Sequence, residues 1–250
     1  MSNFLSEADF ERFLNSLRQL LESNQKALAQ TGRSLSMPIE GFVELFRLAY
    51  GSAFRISETL SAYPGDFDFE KRLITLNVTK TGYKKCKCAK YVKSENGNRH
   101  LEGDIDCKVC EGRFKLRKAQ YTTIHPKYLE SLRTYLAKYP PNSQNIFSTN
   151  RFTLWSYAKK AGELAGLNVF EQQDDRLIEG VWTHLFRKSR AQQMMLDASG
   201  DETSDFVFEL VKIKLRHSTK ARDVTFRYTN KIGQKLGLND LLEWEKKHYG

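Results

Sequence analysis

Apolar residues first recur at helical spacing at Phe10, Phe13, Leu14, Leu17, Leu20 and Leu21, one face of a helix that Ser6 can cap. The periodicity then stops, and residues 24–37 read as a loop through Thr31-Gly32 and Ser34 to Met37. Pro38 suits a helix start, and Phe42, Leu45, Phe46 and Tyr50 continue on one face. A shorter helix carries Arg55 to Leu60 and is broken by Tyr63-Pro64-Gly65-Asp66. From Arg72 to Thr79 apolar and polar residues alternate, as in a half-buried strand, and Lys80-Thr81-Gly82 reads as its turn. Ala119 to Ile124 reads as the returning strand, and His125-Pro126 opens a helix with Leu129, Leu132, Tyr135 and Leu136. The remainder reads as helices near 150–165, 183–197, 202–215 and 236–247, divided by Gly166, Gly180, Gly200 and His217-Ser218-Thr219. The pattern predicts an α+β domain, mostly α, with one small antiparallel sheet.

Composition narrows the class. The chain has 250 residues, 40% hydrophobic and 12% aromatic, which is globular and enough for a core. No run approaches the roughly 18 apolar residues of a membrane helix. The acidic, core-less start (Met1 to Glu7) is no signal peptide. A cytoplasmic protein is expected, nucleoid-associated if its source is prokaryotic, viral or plasmid-borne. In such a reducing compartment four cysteines favour metal or free thiol over disulfide.

Charge changes the picture once it is located. The net charge is +10, and residues 71–118 alone hold 14 Lys and Arg against 5 Asp and Glu. Such concentration fits a polyanion, because neutralising phosphates releases counterions; a solvated basic hairpin would show the same composition. Lys84, Lys85, Lys87, Arg113, Lys115, Arg117 and Lys118 are the candidate DNA contacts. Within this stretch Cys86-x-Cys88 and Cys107-x2-Cys110 form two pairs 18 residues apart, with Gly97, Gly103 and Gly112 for tight turns. Four thiolates so placed suit one structural zinc ion, which would substitute for a core the segment is too polar to build. His100 could replace one thiolate, and free thiols on a loop are the other reading.

Three polar clusters could do chemistry. Arg55 and Glu58 share a helix face at i, i+3, so the carboxylate can orient the guanidinium, although surface ion pairs look the same. His184 and Arg187 repeat that spacing where a helix N-terminus favours anions. Leu215-Arg216-His217-Ser218 precedes Phe226-Arg227-Tyr228-Thr229, with Tyr228 eleven residues after His217. A tyrosine next to an arginine and near a histidine can serve as a nucleophile or, more often, as amphipathic packing.

The order of these pieces, from Arg-x-x-Glu through Lys-Thr-Gly and His-x-x-Arg to Leu-x-His-Ser and a tyrosine, resembles the tyrosine recombinase (phage integrase) family. The match runs from about Ser6 to Lys231. Tyr50 to Glu58 resembles the first box, Thr183 to Arg187 the second, and Leu215 to Ser218 with Tyr228 the third. Lys80 stands where the family keeps its catalytic lysine. The resemblance implies a site-specific DNA recombinase acting through a 3′-phosphotyrosyl bond, without metal or ATP in the chemistry, as on a mobile genetic element. Tyr228 would be the nucleophile; Arg55, Arg187 and His217 would bind the phosphoryl oxygens. Lys80 would protonate the leaving oxygen, His184 would act as base or orienter, and Glu58 would hold Arg55 or His184 in register.

The resemblance also implies a domain layout: a catalytic domain over residues 1–250, an inserted basic zinc-ribbon-like subdomain over 84–118, and no counterpart of the family's N-terminal DNA-clamping domain. The chain would then be a fragment or a minimal enzyme. The expected partner is double-stranded DNA, held by a homo-tetramer that assembles through the terminal helix, whose Leu236, Leu238, Leu241, Leu242 and Trp244 form an apolar face. Three departures stand out. Ser52-Ala53 replaces the usual Thr-Gly, Arg216 replaces the usual Gly before the third-box histidine, and His217 to Tyr228 is about two residues longer than usual. The rival expectations are a catalytically silent DNA-binding protein on the same fold, a type IB topoisomerase, and a zinc-ribbon scaffold for RNA or protein.

Overall fold

The structure, a computed structural model, describes residues 4–76, 90–93, 99–102, 120–140, 143, 146–173, 176–197, 204–216 and 238–249. The chain divides into two compact units, Met1–Leu76 with Tyr121–Gly250, and Asn77–Gln120. In the smaller unit the described residues form one antiparallel hairpin, β3 (Lys90–Lys93) against β4 (Arg99–Glu102), with Lys90 opposite Glu102 and Lys93 opposite Arg99.

In the larger unit α1 (Glu7–Ala29) begins with a capping box: the Asp9 amide donates to Ser6 Oγ at 3.1 Å and the Ser6 amide donates to Asp9 Oδ2 at 3.1 Å. Phe10, Phe13, Leu14, Leu17 and Leu21 are fully buried. The helix runs through Ala29, past the point where a loop was expected. Its last two turns bury no residue, so no apolar stripe marks them. Gln25, Lys26, Ala27 and Ala29 are good helix formers, and propensity carries the helix onward from a packed start.

Helix α2 (Ile39–Gly51) follows Pro38 and packs against α1, α4 (Leu129–Leu136) and α6 (Thr183–Leu196). Helix α5 (Arg151–Leu164), capped by Asn150 Oδ1 on the Phe152 and Thr153 amides, packs on α1. The aromatic residues join these helices: Phe10 stacks on Tyr50 at 4.1 Å, and Phe13, Phe46 and Phe186 meet at about 5 Å. Short α3 (Ile56–Leu60) leads to a three-stranded sheet ordered β1-β2-β5, from β1 (Phe67–Asp68), β2 (Leu73–Leu76) and β5 (Gln120–Thr123). The small antiparallel sheet and dominant helices match the expected class. A second hairpin, β6 (Phe170–Gln173) with β7 (Arg176–Glu179), falls in a stretch expected to lack strands. It is short and polar, so it carries neither a helical nor a clean alternating signature.

A second apolar cluster forms where α7 (Ser204–Lys214) and α8 (Leu238–Tyr249) pack together, centred on Met194, Val207, Leu210, Val211, Leu215, Leu241 and Trp244. Ala53 belongs to this cluster, while its neighbour Phe54 belongs to the first. The turn after α2 therefore lies at the seam between two cores.

Helix α5 approaches the irregular segment between β7 and α6 closely at Gly162, where an added Cβ would sit 2.7 Å from Val181 Cβ. Gly162→Ala should destabilise the fold by about 1 kcal/mol net, because overpacking costs about 1–3 kcal/mol and helix propensity returns about 1. A stability gain in urea unfolding would show that the Val181 segment gives way freely.

Candidate active site

Helix α2 ends in a left-handed cap. Ser52 is the C-cap and Ala53 follows with φ +51°. The Ala53 amide donates to Tyr50 O and the Phe54 amide to Ala49 O, both at 3.1 Å. That bonding is a Schellman motif, whose left-handed position glycine usually fills. Helix α7 ends similarly: the Arg216 amide donates to Ile213 O at 2.9 Å, and Arg216 has φ +53°. These are two of the positions where the sequence departs from the recombinase pattern. Both demand a backbone conformation natural to glycine and costing other residues about 1–2 kcal/mol.

Two guanidinium groups bridge these helix ends. Arg187, one turn into α6 and 1% exposed, donates through Nη1 to Ala53 O at 2.7 Å and through Nη2 to Leu215 O. Arg216 donates to Ala53 O at 3.4 Å, Lys214 O at 3.3 Å and Ser52 O at 3.5 Å, and lies over the Phe54 ring. Carbonyls at a helix C-terminus lack intrahelical partners and carry the negative end of the dipole, so cations belong there.

Glu58 completes the cluster. Its Oε2 accepts from the Arg55 amide at 2.8 Å and from Arg216 Nη2, while Oε1 accepts from Arg55 Nη1 at 2.6 Å. The carboxylate is 2% exposed. Burial opposes its ionisation, but Arg216, the Arg55 amide, and the Arg55 and Arg187 charges outweigh burial and hold it below the ordinary carboxylate range. Burial draws Arg216 down to about 10, which still leaves it cationic at neutral pH. Arg55 keeps 31% of its side chain exposed, so of the three guanidinium groups it is the one a ligand reaches most readily.

The structure thus brings Arg55, Glu58 and Arg187 together and adds Arg216, which in the sequence stands out only as a departure from the family's glycine. Glu58 pairs with Arg55, as expected, and equally with Arg216. His184 is exposed in the first turn of α6. Lys80, His217, Tyr228, the four cysteines and the seven basic candidates of the insertion lie outside the described residues. Among the described residues no group of three or more His, Cys, Asp or Glu is gathered as a metal site.

A second polar cluster, unforeseen in sequence, fixes α8. Lys214 Nζ, fully buried, donates to Glu245 Oε1 at 2.7 Å, Thr123 Oγ1 at 2.5 Å and Thr123 O at 3.1 Å. Arg190 approaches the same Glu245 oxygen at 3.7 Å and covers the Tyr249 ring. Leu241 and Trp244 are buried in cis, on α7 and the turn at 126–128. No helix among the described residues is long and apolar enough to cross a membrane.

No family profile matches the sequence, and no curated protein matches it. Solved structures do resemble it. The XerA recombinase superposes with a TM-score of 0.52 at 15% identity, covering 100% of this chain and 66% of the XerA chain. The Tn1549 transposon integrase, solved in complex with a circular intermediate DNA, gives 0.53 at 9% identity, covering 99% of this chain and 66% of its own. This chain therefore spans less than two thirds of those proteins. The likeness is one of fold: the described helices and small sheet have the architecture of the recombinase catalytic domain.

Proposed function

We propose that this chain is the catalytic part of a site-specific tyrosine recombinase. The observation that supports the reading best is the cluster in which Arg55 and Glu58, at the start of α3, meet the buried Arg187 of α6 on a recombinase-like fold. In this reading Tyr228 attacks the scissile phosphorus. A bond forms between its phenolic oxygen and the 3′ phosphate, and the bond to the 5′ oxygen breaks. Lys80 supplies the proton that the departing oxygen takes up. Arg55, Arg187 and His217 neutralise the non-bridging oxygens, and His184 acts as base or orienter toward the tyrosine. The energy of the phosphodiester is kept in the covalent bond, so attack by a 5′ hydroxyl of another strand restores DNA without ATP.

The substrate would be double-stranded DNA, bound by a tetramer whose protomers meet through the C-terminal helix. That contact requires the α8 face, covered in cis in the isolated chain, to be exchanged or supplemented. One observation favours the catalytically silent reading: both terminal nitrogens of Arg187 are donated to protein carbonyls. Covalent trapping on a library of nicked suicide duplexes separates the two. A denaturant-resistant protein–DNA band supports the enzyme; tight DNA binding with no band on any duplex supports the silent binder. Relaxation of supercoiled DNA by a monomer, without strand exchange, would instead indicate a type IB topoisomerase.

For the insertion we propose that Cys86, Cys88, Cys107 and Cys110 hold one structural zinc ion and that the basic residues around them grip DNA beside the cleavage site. The support is the paired spacing and the charge. Purified protein should contain one zinc per chain by elemental analysis. Cys107→Ser with Cys110→Ser should lose that zinc and weaken DNA binding at least about tenfold, the loss of roughly one or two phosphate contacts. Unchanged affinity would refute the DNA-gripping role.

A further inference from the structure

Arg216 occupies a backbone position that glycine would fill without strain, yet its side chain is buried and both its terminal nitrogens are engaged. Its amide closes the end of α7 on Ile213 O, and its guanidinium reaches Glu58 together with carbonyls at the ends of both α2 and α7. Glu58 in turn holds both the amide and the Nη1 of Arg55. The chain of contacts therefore runs from the residue immediately before His217, through one carboxylate, to the half-buried arginine of the first box. Glycine at this position could close the helix but could not make that connection.

We propose that Arg216 is a positioning residue: by gripping Glu58 and the Ser52–Ala53 turn it sets the orientation of Arg55 and ties the first and third boxes into one rigid phosphate-binding unit. The forked guanidinium suits the task, because one planar group meets a carboxylate and several carbonyls at once. An ammonium reaches fewer of them. The same grip gives the cap at α7 an anchor that does not depend on glycine, and it compensates for the left-handed strain. This inference rests on the recombinase reading for its reaction, but the contacts stand independently.

Removing Arg216 also removes the largest opposing charge on Glu58. The charges that act most strongly on that carboxyl are Arg216 itself, Arg55 from the start of α3 and Arg187 from α6. With Arg216 gone, burial is less well opposed and the Glu58 carboxyl titrates at higher pH. Arg55 then loses its anionic partner as the medium is acidified, at pH values where the wild type is still fully paired.

The test compares wild type, Arg216→Gly and Arg216→Lys in single-turnover covalent trapping on a nicked duplex, with DNA affinity, thermal unfolding and a pH profile measured in parallel. Arg216→Gly relieves the backbone and removes the fork. Its cleavage rate should fall roughly tenfold to a hundredfold, the scale of slight misplacement of a reacting group. DNA affinity should change far less. Its acid limb should move to higher pH, and Arg216→Lys should recover part of the rate. A merely structural residue would lower the melting temperature without moving the pH profile, and that outcome overturns the inference. Wild-type cleavage with an unimpaired Arg216→Gly overturns it alone. No adduct from the wild type on any duplex overturns the recombinase reading and this inference together. Should Arg216→Gly fail to fold, the rate and pH profile of Arg216→Lys decide: wild-type values for both overturn it.

Discussion

Tyr228→Phe should abolish the covalent protein–DNA band while leaving DNA binding within about 0.5 kcal/mol of wild type, a small effect on the scale of single substitutions. Phenylalanine keeps the ring and deletes only the oxygen that bonds to phosphorus, so no slower version of the same step remains. Tyr249→Phe is the informative control. Tyr249 donates its hydroxyl to Asp197 and packs its ring between His125 and the Arg190 guanidinium. Burial, over the opposing pull of Arg190, and the bond to Asp197 push its phenol well above the usual range. A phenol that resists ionisation inside a packed cluster is a poor nucleophile. The band should therefore survive Tyr249→Phe. A band that survives Tyr228→Phe and vanishes with Tyr249→Phe would reverse the assignment.

Glu245→Ala should be the most destabilising single change at the second core, costing about 3–5 kcal/mol, because it leaves a buried ammonium without its counter-charge. The wild-type pair is 0–1% exposed, so water cannot replace the lost partner without opening the contact between α7 and α8. Combining the change with Lys214→Met should recover most of the loss, since an apolar pair avoids the desolvation penalty. Urea unfolding of the single and double variants measures both terms; additive losses would show that the pair is not coupled.

Lys214 also predicts a pH dependence. Burial, against the attraction of Glu245, draws its ammonium down to about 8, whereas in the unfolded chain it titrates near 10.4. Between those values the unfolded chain holds the extra proton. The Lys214 contribution to stability is then fully present above about pH 10.4 and is lost as the pH falls toward 8, by at most about 1.4 kcal/mol per unit. Lys214→Met should flatten that slope.

Most of the helical framework could be read from spacing. Ser6 with Asp9 begins α1 where the cap signal stands, and Pro38 precedes α2. The departures have local causes. Residues 24–29 continue α1 without burying a side chain, so periodicity is silent there, and β6 with β7 is too short and polar to announce itself. In the candidate site the pairing of Arg55 with Glu58 follows from i, i+3 geometry. Apart from Lys214 O, the partners of the Arg187 and Arg216 guanidinium groups lie 28 to 164 positions away, beyond any local pattern.

The sequence by itself determined the helical class, the concentration of charge in residues 71–118, and the order of polar motifs that resembles a recombinase. Those properties are written in local spacing, capping and composition. Only the tertiary structure decided that Ala53 and Arg216 both take left-handed caps, that Arg187 spans two helix ends, and that Glu58 is shared by two arginines. It decided equally that Glu245 closes on Lys214 to hold α8 in cis. A residue's type states which donors and charges it offers. Which carbonyl or carboxylate it meets depends on where distant helix ends come to rest, and that is a property of packing.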